Sequence, residues 1–124
     1  MNTHNLHTQK LSVRKIFYAL FNKRDYQLAD QLFDPRLHCN IIDYPIKNRR
    51  DFVRLVNRFN HSFANTHAEL ISIFCEGDMV CTHWKMVILP EKDTPVVTAK
   101  GITIFKFRTE KVVQLDQFWN YGNR

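Results

Sequence analysis

The segment most informative about the fold is residues 101–120, GITIFKFRTEKVVQLDQFWN. Residues rich in Ile, Phe and Val run up to Arg108 and begin again at Val112, a pattern typical of two β-strands. The Thr109-Glu110 pair between these runs predicts a turn. We therefore predict a closing hairpin made of strands 96–108 and 112–120.

The residues before this hairpin extend the same sheet. Two more strands, Ala68–Cys75 and Met79–Leu89, are predicted on the two sides of a turn at residues 76–78. A polar loop at residues 90–95 then leads into the hairpin. Everything after His67 is thus predicted to be antiparallel β-sheet.

The first half of the chain is predicted to be mainly helical. Apolar residues at helical spacing predict three helices, at residues 8–22, 26–33 and 48–63. Asn48 is the expected N-cap of the third helix, with Asp51 completing a capping-box-like start. One strand is expected at residues 36–43. This order predicts an α+β fold, in which three N-terminal helices pack on one face of a curved, mainly antiparallel sheet.

The composition is that of one ordinary domain. The chain has 124 residues, 44% of them hydrophobic, and its ten Phe, four Tyr and two Trp predict an aromatic core. We expect residues 1–7 to form a flexible N-terminal tail and residues 8–124 to form a single domain. No apolar signal segment is visible, and no stretch approaches the roughly 20 apolar residues of a membrane span. A cytoplasmic protein is therefore expected.

The cysteines and the charge narrow the chemistry further. Cys39, Cys75 and Cys81 are odd in number and form no CxxC pair, which favours three reduced thiols. The net charge of +6 permits an anionic partner without requiring one. No His, Asp or Glu spacing predicts a metal site.

Four stretches together resemble SnoaL-like and ketosteroid-isomerase-like proteins of the nuclear-transport-factor-two-like superfamily. They are ALFNKRDYQLADQLFDPRLHCNIID (19–43), NRRDFVRLVNRF (48–59), EGDMVCTHWKM (76–86) and the hairpin at 101–120. The resemblance implies a cone-shaped α+β barrel with an internal pocket, a homodimer formed through the outer sheet face, and no cofactor. It does not fix a reaction, because this fold hosts cyclases, isomerases, dehydratases, hydrolases and non-catalytic domains.

The acidic groups of ketosteroid isomerase are missing when its positions are carried over one at a time. The resemblance places its phenol at Phe17, its base at Ile41 and its protonated carboxyl at Thr103. Asp43 would reach the base position only through a slip of two residues. The acid of SnoaL-like cyclases falls on Asn120, an amide that does not titrate. Ketosteroid-isomerase chemistry is therefore not expected.

The resemblance nevertheless implies a pocket and a candidate acid or base. The implied pocket residues are Phe17, Ile41, Cys81, Leu115 and Trp119. His83 is the candidate acid or base, and Thr103 and Gln117 are the candidate polarising donors. The apolar alternation around Trp84 instead favours a strand whose His83 points outward. A shift of one residue decides between these two placements.

Three functions are open at this point. The first is a protein that binds a mostly apolar cyclic or aromatic metabolite, with or without acid–base isomerase, cyclase or dehydratase chemistry. The second is a non-catalytic, dimeric interaction module whose cone is filled with side chains. The third is a basic anion or nucleic-acid binder built on the helical stripe Arg50, Arg54 and Arg58. That stripe is more typical of an ordinary solvated helix face, so a nucleic-acid partner is not expected.

Overall fold

Six strands form one mixed sheet in the computed structural model, which describes residues 3–42, 44–63, 65–89 and 95–122. In chain order the strands are β1 Phe33–Ile41, β2 Tyr44–Ile46, β3 Asn65–Glu76, β4 Met79–Leu89, β5 Val97–Arg108 and β6 Lys111–Gly122. The sheet order is β2-β1-β6-β5-β4-β3. Only β1 and β6 pair in parallel among the described strands, and the other pairs are antiparallel.

Three helical segments pack on one face of this sheet. They are α1 Thr3–Phe17 with a π-helical extension Tyr18–Lys23, α2 Ala29–Leu32 after a 3-10 turn Tyr26–Leu28, and α3 Arg49–Ser62. The predicted α+β fold, three helices on a mainly antiparallel sheet, is confirmed.

The start of α3 follows the cap that the sequence predicts. The Asn48 side chain accepts a hydrogen bond from the Asp51 backbone N–H at 2.8 Å and donates one to the Asp51 carboxylate at 3.2 Å. Phe52, Val56 and Asn60, spaced by four, are the buried residues of this helix. This spacing turns one aromatic and aliphatic stripe toward the sheet.

The corner after α1 is tied to the edge of the sheet by side chains. Asn22 donates to the Ala68 carbonyl oxygen at 3.2 Å and accepts from the Ala68 N–H at 3.0 Å. Arg24 takes a left-handed conformation with φ of 60° and donates to the Phe63 carbonyl oxygen at 2.9 Å. Asp25 then caps the next turn by accepting from the Gln27 N–H at 3.2 Å. The helix end therefore has fixed partners on β3 and α3.

Several predicted boundaries are wrong in instructive ways. The first helix begins at Thr3, five residues before its predicted start at Thr8. Extending an existing helix adds one hydrogen bond for each residue ordered. Polar residues can therefore continue a helix without an apolar pattern. The first strand begins at Phe33, three residues early, where Phe33 pairs with Val112 of β6. Tyr44–Ile46 forms β2, a short strand that was not among the predicted elements. Most of the predicted loop, residues 90–94, lies outside the described residues.

The two faces of the sheet differ in exposure. Along β4 and β5, burial alternates with every residue. We call the helix-covered side the inner face and the opposite side the outer face. The inner face carries buried residues such as Trp84 and Phe105, whereas the outer face carries Phe74, Ile102 and Phe118 with 45% to 56% of their surface exposed. The core therefore lies on the inner face alone.

Candidate functional site

A cavity opens between the helices and the inner face of the sheet. The volume of this cavity is about 120 Å³. The helical wall is aromatic and aliphatic, and its residues are Phe17, Phe21, Phe52, Leu55, Val56 and Phe59. The sheet contributes residues from four strands, which are Ile41, Trp84, Met86, Ile88, Ala99, Gln117 and Trp119. The Gln117 amide is the one polar side chain besides the indoles in this described lining.

One row across the sheet places both tryptophans beside a glycine. Trp84 of β4 pairs with Gly101 of β5, and Gly101 pairs with Trp119 of β6. A Cβ atom at Gly101 would overlap the Trp84 indole carbons and lie 2.6 Å from the Phe118 carbonyl oxygen. The missing side chain is therefore what lets the Trp84 ring lie against the sheet.

The next row holds a chain of hydrogen bonds across three strands. The Trp84 indole N–H donates to the Thr103 Oγ1 at 2.8 Å. The Thr103 hydroxyl in turn donates to the Gln117 Oε1 at 3.1 Å. Thr82 adds a bond from its hydroxyl to the Thr103 carbonyl oxygen at 3.0 Å. Thr82 and Thr103 are buried, so these bonds form away from water and hold the Gln117 side chain in one orientation.

The structure brings together most of the residues that the resemblance placed at the pocket. Phe17, Ile41, Gln117 and Trp119 all line the cavity. Ile41 and Gln117 are partners across the parallel β1–β6 pair. Thr103 does not line the cavity but lies directly behind Gln117, within hydrogen-bond distance. These residues are therefore one structural cluster, and their roles in binding stay predictions.

Leu115 lies deeper than the cavity. Its side chain is 2% exposed and belongs to the core cluster, and it is absent from the described lining. Leu115 pairs with Phe105, which is also buried in this part of the core. Its expected place in the pocket wall is corrected to a place in the packed core.

His83 and Cys81 lie on the outer face, which corrects the pocket placement that the resemblance implied. Both are half-buried, and they alternate with the buried residues Val80, Thr82 and Trp84 of β4. Successive side chains of a strand point to opposite faces, so a strand that turns Trp84 inward must turn His83 outward. Burying Trp84 removes far more apolar surface from water than burying His83 would. The apolar alternation of the sequence therefore gives the right register.

The cavity wall also contains residues that were not predicted to belong to a site. Trp84 belongs to the apolar alternation of β4, and Phe52 and Phe59 are among the apolar residues at helical spacing in α3. Ala99 and Met86 complete the sheet side. The sequence pattern predicts only that such residues are buried, and a buried residue can belong either to a pocket wall or to a filled core. Asp43, the acid considered for a slipped register, lies outside the described residues.

No disulfide joins the three described cysteines, and burial affects the chemistry of two of their thiols. Burial, with a smaller effect of the nearby Asp116 carboxylate, raises the pKa of the Cys39 thiol from 9.0 to about 12. Burial also raises the pKa of the Cys75 thiol, although Lys10 opposes the shift. A raised thiol pKa lowers the thiolate fraction at neutral pH. The described geometry thus gives Cys39 the features of a structural cysteine.

No three His, Cys, Asp or Glu side chains in the described ranges come close enough together to hold a metal ion. Arg50, Arg54 and Arg58 are exposed on α3, as a solvated helix face requires. Across the residues that the structure covers, no helix is long and apolar enough to span a bilayer.

Comparison with known sequences gives one family. The profile described as a SnoaL-like domain matches residues 14–115. This match includes α3, β1 to β5 and β6 as far as Leu115. No curated protein sequence matches the chain significantly.

Solved structures with the same fold have low sequence identity to the chain. A protein from Jannaschia sp. CCS1, provisionally assigned as a SnoaL-like polyketide cyclase, is 11% identical, with a TM-score of 0.85 over 97% of this chain and 90% of that one. An LEH-like epoxide hydrolase from M. tuberculosis is 14% identical, with a TM-score of 0.79 over 94% and 85%. An NTF-2 like protein of unknown function from Burkholderia xenovorans LB400 is 19% identical, with a TM-score of 0.73 over 92% and 84%. At such identities the likeness shows the fold alone.

Proposed function

The chain belongs to the SnoaL-like domain family, and from that premise we propose that it binds a small, mostly apolar ring compound in the inner-face cavity. The observation that carries the proposal is the lining, an aromatic and aliphatic wall with the Gln117 amide set into it. Ligand sites of proteins commonly combine an apolar wall with a few fixed polar groups. The same cavity weighs against a cone filled with side chains.

The size of the cavity supports a ligand of about one ring. Its volume of about 120 Å³ is close to that of an engineered apolar cavity, about 150 Å³, that binds benzene in another protein. A larger molecule would have to leave part of its surface outside the cavity. A single aromatic or alicyclic ring is therefore the ligand that we propose.

Binding, without turnover, is the function that the described lining supports. Proton transfer needs a titratable group within hydrogen-bond reach of the ligand. The residues that line the cavity in the described part of the chain include no Asp, Glu, His, Lys, Cys or Tyr. The acid or base role expected of His83 is not part of the proposal, because His83 lies on the outer face.

The two tryptophans of the chain both line the cavity and make binding directly measurable. We expect single-ring compounds such as acetophenone to shift both indole N–H signals in a ¹H–¹⁵N spectrum, saturably and together. Ala99→Leu should weaken binding at least about tenfold, because its added carbons occupy the cavity. Thr98→Leu is the matched control, since the Thr98 side chain points to the outer face. Unshifted indole signals, or equal binding by both variants, would contradict the proposal.

We also propose that two copies of the chain associate through the outer face. The supporting observation is exposed apolar surface on this face: Ile102 and Phe118 pair across the neighbouring strands β5 and β6, and Phe74 lies on β3, beyond β4. Exposed apolar patches of this kind are typical of interaction sites. A two-fold pair would bury the same residues of both copies against each other.

A further inference from the structure

The orientation of the Gln117 amide follows from counting donors and acceptors. The Trp84 indole N–H can only donate, so the Thr103 Oγ1 must accept from it. The buried Thr103 hydroxyl then has one proton of its own to donate, and the Gln117 side chain is its partner at 3.1 Å. A proton donor requires the oxygen of the amide as acceptor. The Gln117 Oε1 therefore faces Thr103, and its Nε2 faces away.

The Nε2 group carries two N–H donors, and none of the hydrogen bonds among the described residues uses them. Gln117 lies in the cavity wall, where its neighbours Ile41 and Trp119 offer no acceptor side chain. A ligand that covers this donor excludes water from it, and a donor then left without an acceptor is costly, so a ligand that brings an acceptor gains over one that does not.

Charge is the second property that the described wall selects. No residue of this wall carries a charged side chain. Moving a carboxylate or an ammonium group into such surroundings would remove its hydration without supplying an opposite charge. An uncharged acceptor, such as a ketone oxygen, meets the amide donor without this penalty.

We propose that the cavity selects uncharged single-ring compounds that carry a carbonyl or comparable acceptor oxygen, which accepts a hydrogen bond from the Gln117 Nε2. Gln117 is the specificity-determining residue, and Thr103 is a positioning residue that fixes the direction of its amide. This inference rests on the proposed binding function and adds the chemical class of the ligand.

Two probes of nearly the same shape separate the inference from the binding function. Acetophenone carries a carbonyl oxygen, and α-methylstyrene carries a methylene group in its place. Benzoate has a similar size and adds a negative charge. Dissociation constants for all three are measured with the full chain by following the indole and glutamine side-chain signals in ¹H–¹⁵N spectra.

The wild-type protein should bind acetophenone about fivefold more tightly than α-methylstyrene, the ratio expected for one hydrogen bond between neutral groups. Benzoate should bind more weakly than acetophenone. Gln117→Met should abolish the preference for the ketone while α-methylstyrene still binds, which shows that the variant is folded and its cavity intact. In the wild type, only acetophenone should move the Gln117 side-chain amide protons downfield.

Thr103 is tested by two variants that differ in the hydroxyl. Thr103→Val removes the hydroxyl at nearly constant volume and should lower the ketone preference, because the amide can then turn its oxygen toward the ligand. Thr103→Ser keeps the hydroxyl and should keep the preference. A purely structural role would weaken the binding of both probes equally.

The outcomes separate the two levels of the proposal. Equal binding of ketone and alkene by the wild type, or an unchanged ratio in Gln117→Met, overturns the inference and leaves pocket binding standing. Benzoate binding as tightly as acetophenone overturns the requirement for an uncharged ligand. If neither neutral probe shifts the indole signals, the proposed binding function itself fails.

Discussion

The inner and outer faces of the β4–β6 region are built from alternate residues of the same strands, yet they offer different chemistry. The inner face holds the two tryptophans and the Gln117 amide, fixed by a buried hydrogen-bond chain. The outer face holds titratable groups such as His83 and Asp116 together with exposed apolar residues. Residues with catalytic potential thus lie away from the cavity in the described strands. A single-residue register assignment decides which function the sheet supports.

The largest expected difference between the faces is in stability. Leu115→Ala on the inner face should lower the free energy of unfolding by about 3 kcal/mol, because it removes buried methyl groups and leaves a cavity. Phe118→Ala on the outer face of the same strand should cost less than about 1 kcal/mol in dilute protein, since half of its ring surface is already exposed. Chemical denaturation measures both. Equal losses would mean that the outer face is packed as tightly as the inner one.

Gly101→Ala should have the next largest effect, about 2 kcal/mol of destabilisation. The added Cβ meets the Trp84 ring and the Phe118 carbonyl oxygen, so either the ring or the strand must move. Displacing the ring should also change the Trp84 indole N–H signal. Lys100→Ala, at the exposed neighbouring position, is the control and should leave stability and spectrum unchanged. A Gly101→Ala protein with wild-type stability would show that the Trp84 ring does not need a glycine at position 101 to lie against the sheet.

Ile102→Glu tests the outer face as an interface. A charge placed at the centre of an apolar contact should raise the dimer dissociation constant at least about tenfold. Light scattering after size-exclusion chromatography reports the molar mass as a function of concentration. Lys106→Glu, also exposed on β5, changes charge without removing apolar surface and should leave more of the dimer intact. A wild-type protein that stays monomeric at high concentration would refute the proposed dimer.

Much of the fold could be predicted because local patterns and tertiary packing agree. The hairpin around Thr109-Glu110, the bounds of β4 and the Asn48 cap all follow from alternation, turn chemistry and capping. The π-helical extension of α1 and the pairing of Asn22 with Ala68 could not be predicted, since they depend on contacts between distant segments.

The site was predictable only in part for the same reason. Phe17, Ile41, Gln117 and Trp119 occupy the wall that the resemblance implied. The pocket placement of His83 was wrong because the resemblance turned this side of β4 toward the pocket. Trp84 is buried on the inner face, so the adjacent His83 lies on the outer face. No pattern in the sequence distinguishes a wall residue that borders empty space from one that is fully packed.

The buried hydroxyl of Thr103 should contribute about 1 kcal/mol to stability. Thr103→Val removes one acceptor and one donor, and leaves the Trp84 indole N–H without its partner. Thermal unfolding should show a drop of a few degrees for a domain of this size. Thr98→Val, on the outer face of the same strand, removes a hydroxyl that is less buried and should cost less. A Thr103→Val protein as stable as the wild type would show that this hydrogen-bond chain does not stabilise the folded protein.

The smallest expected effect concerns the pH dependence contributed by Cys39. Its pKa is raised to about 12 in the folded chain, so the thiol stays protonated there while the unfolded thiol ionises near 9. Above about pH 9 the unfolded state binds fewer protons than the native state, and stability therefore falls as the pH rises. Cys39→Ala should show a shallower loss of stability between pH 9 and pH 10 than the wild type, by less than about 1 kcal/mol. Parallel pH profiles would contradict the raised pKa.

One titration tests whether the inner face is the binding face, as we propose. Acetophenone is added to the ¹⁵N-labelled protein, and the signals of both indoles and the Gln117 side-chain amide are followed together with that of His83. We predict saturable shifts of the three inner-face groups with one dissociation constant and an unmoved His83 signal. Shifts that centre on His83 and the outer face, with the indole signals unmoved, would contradict the claim.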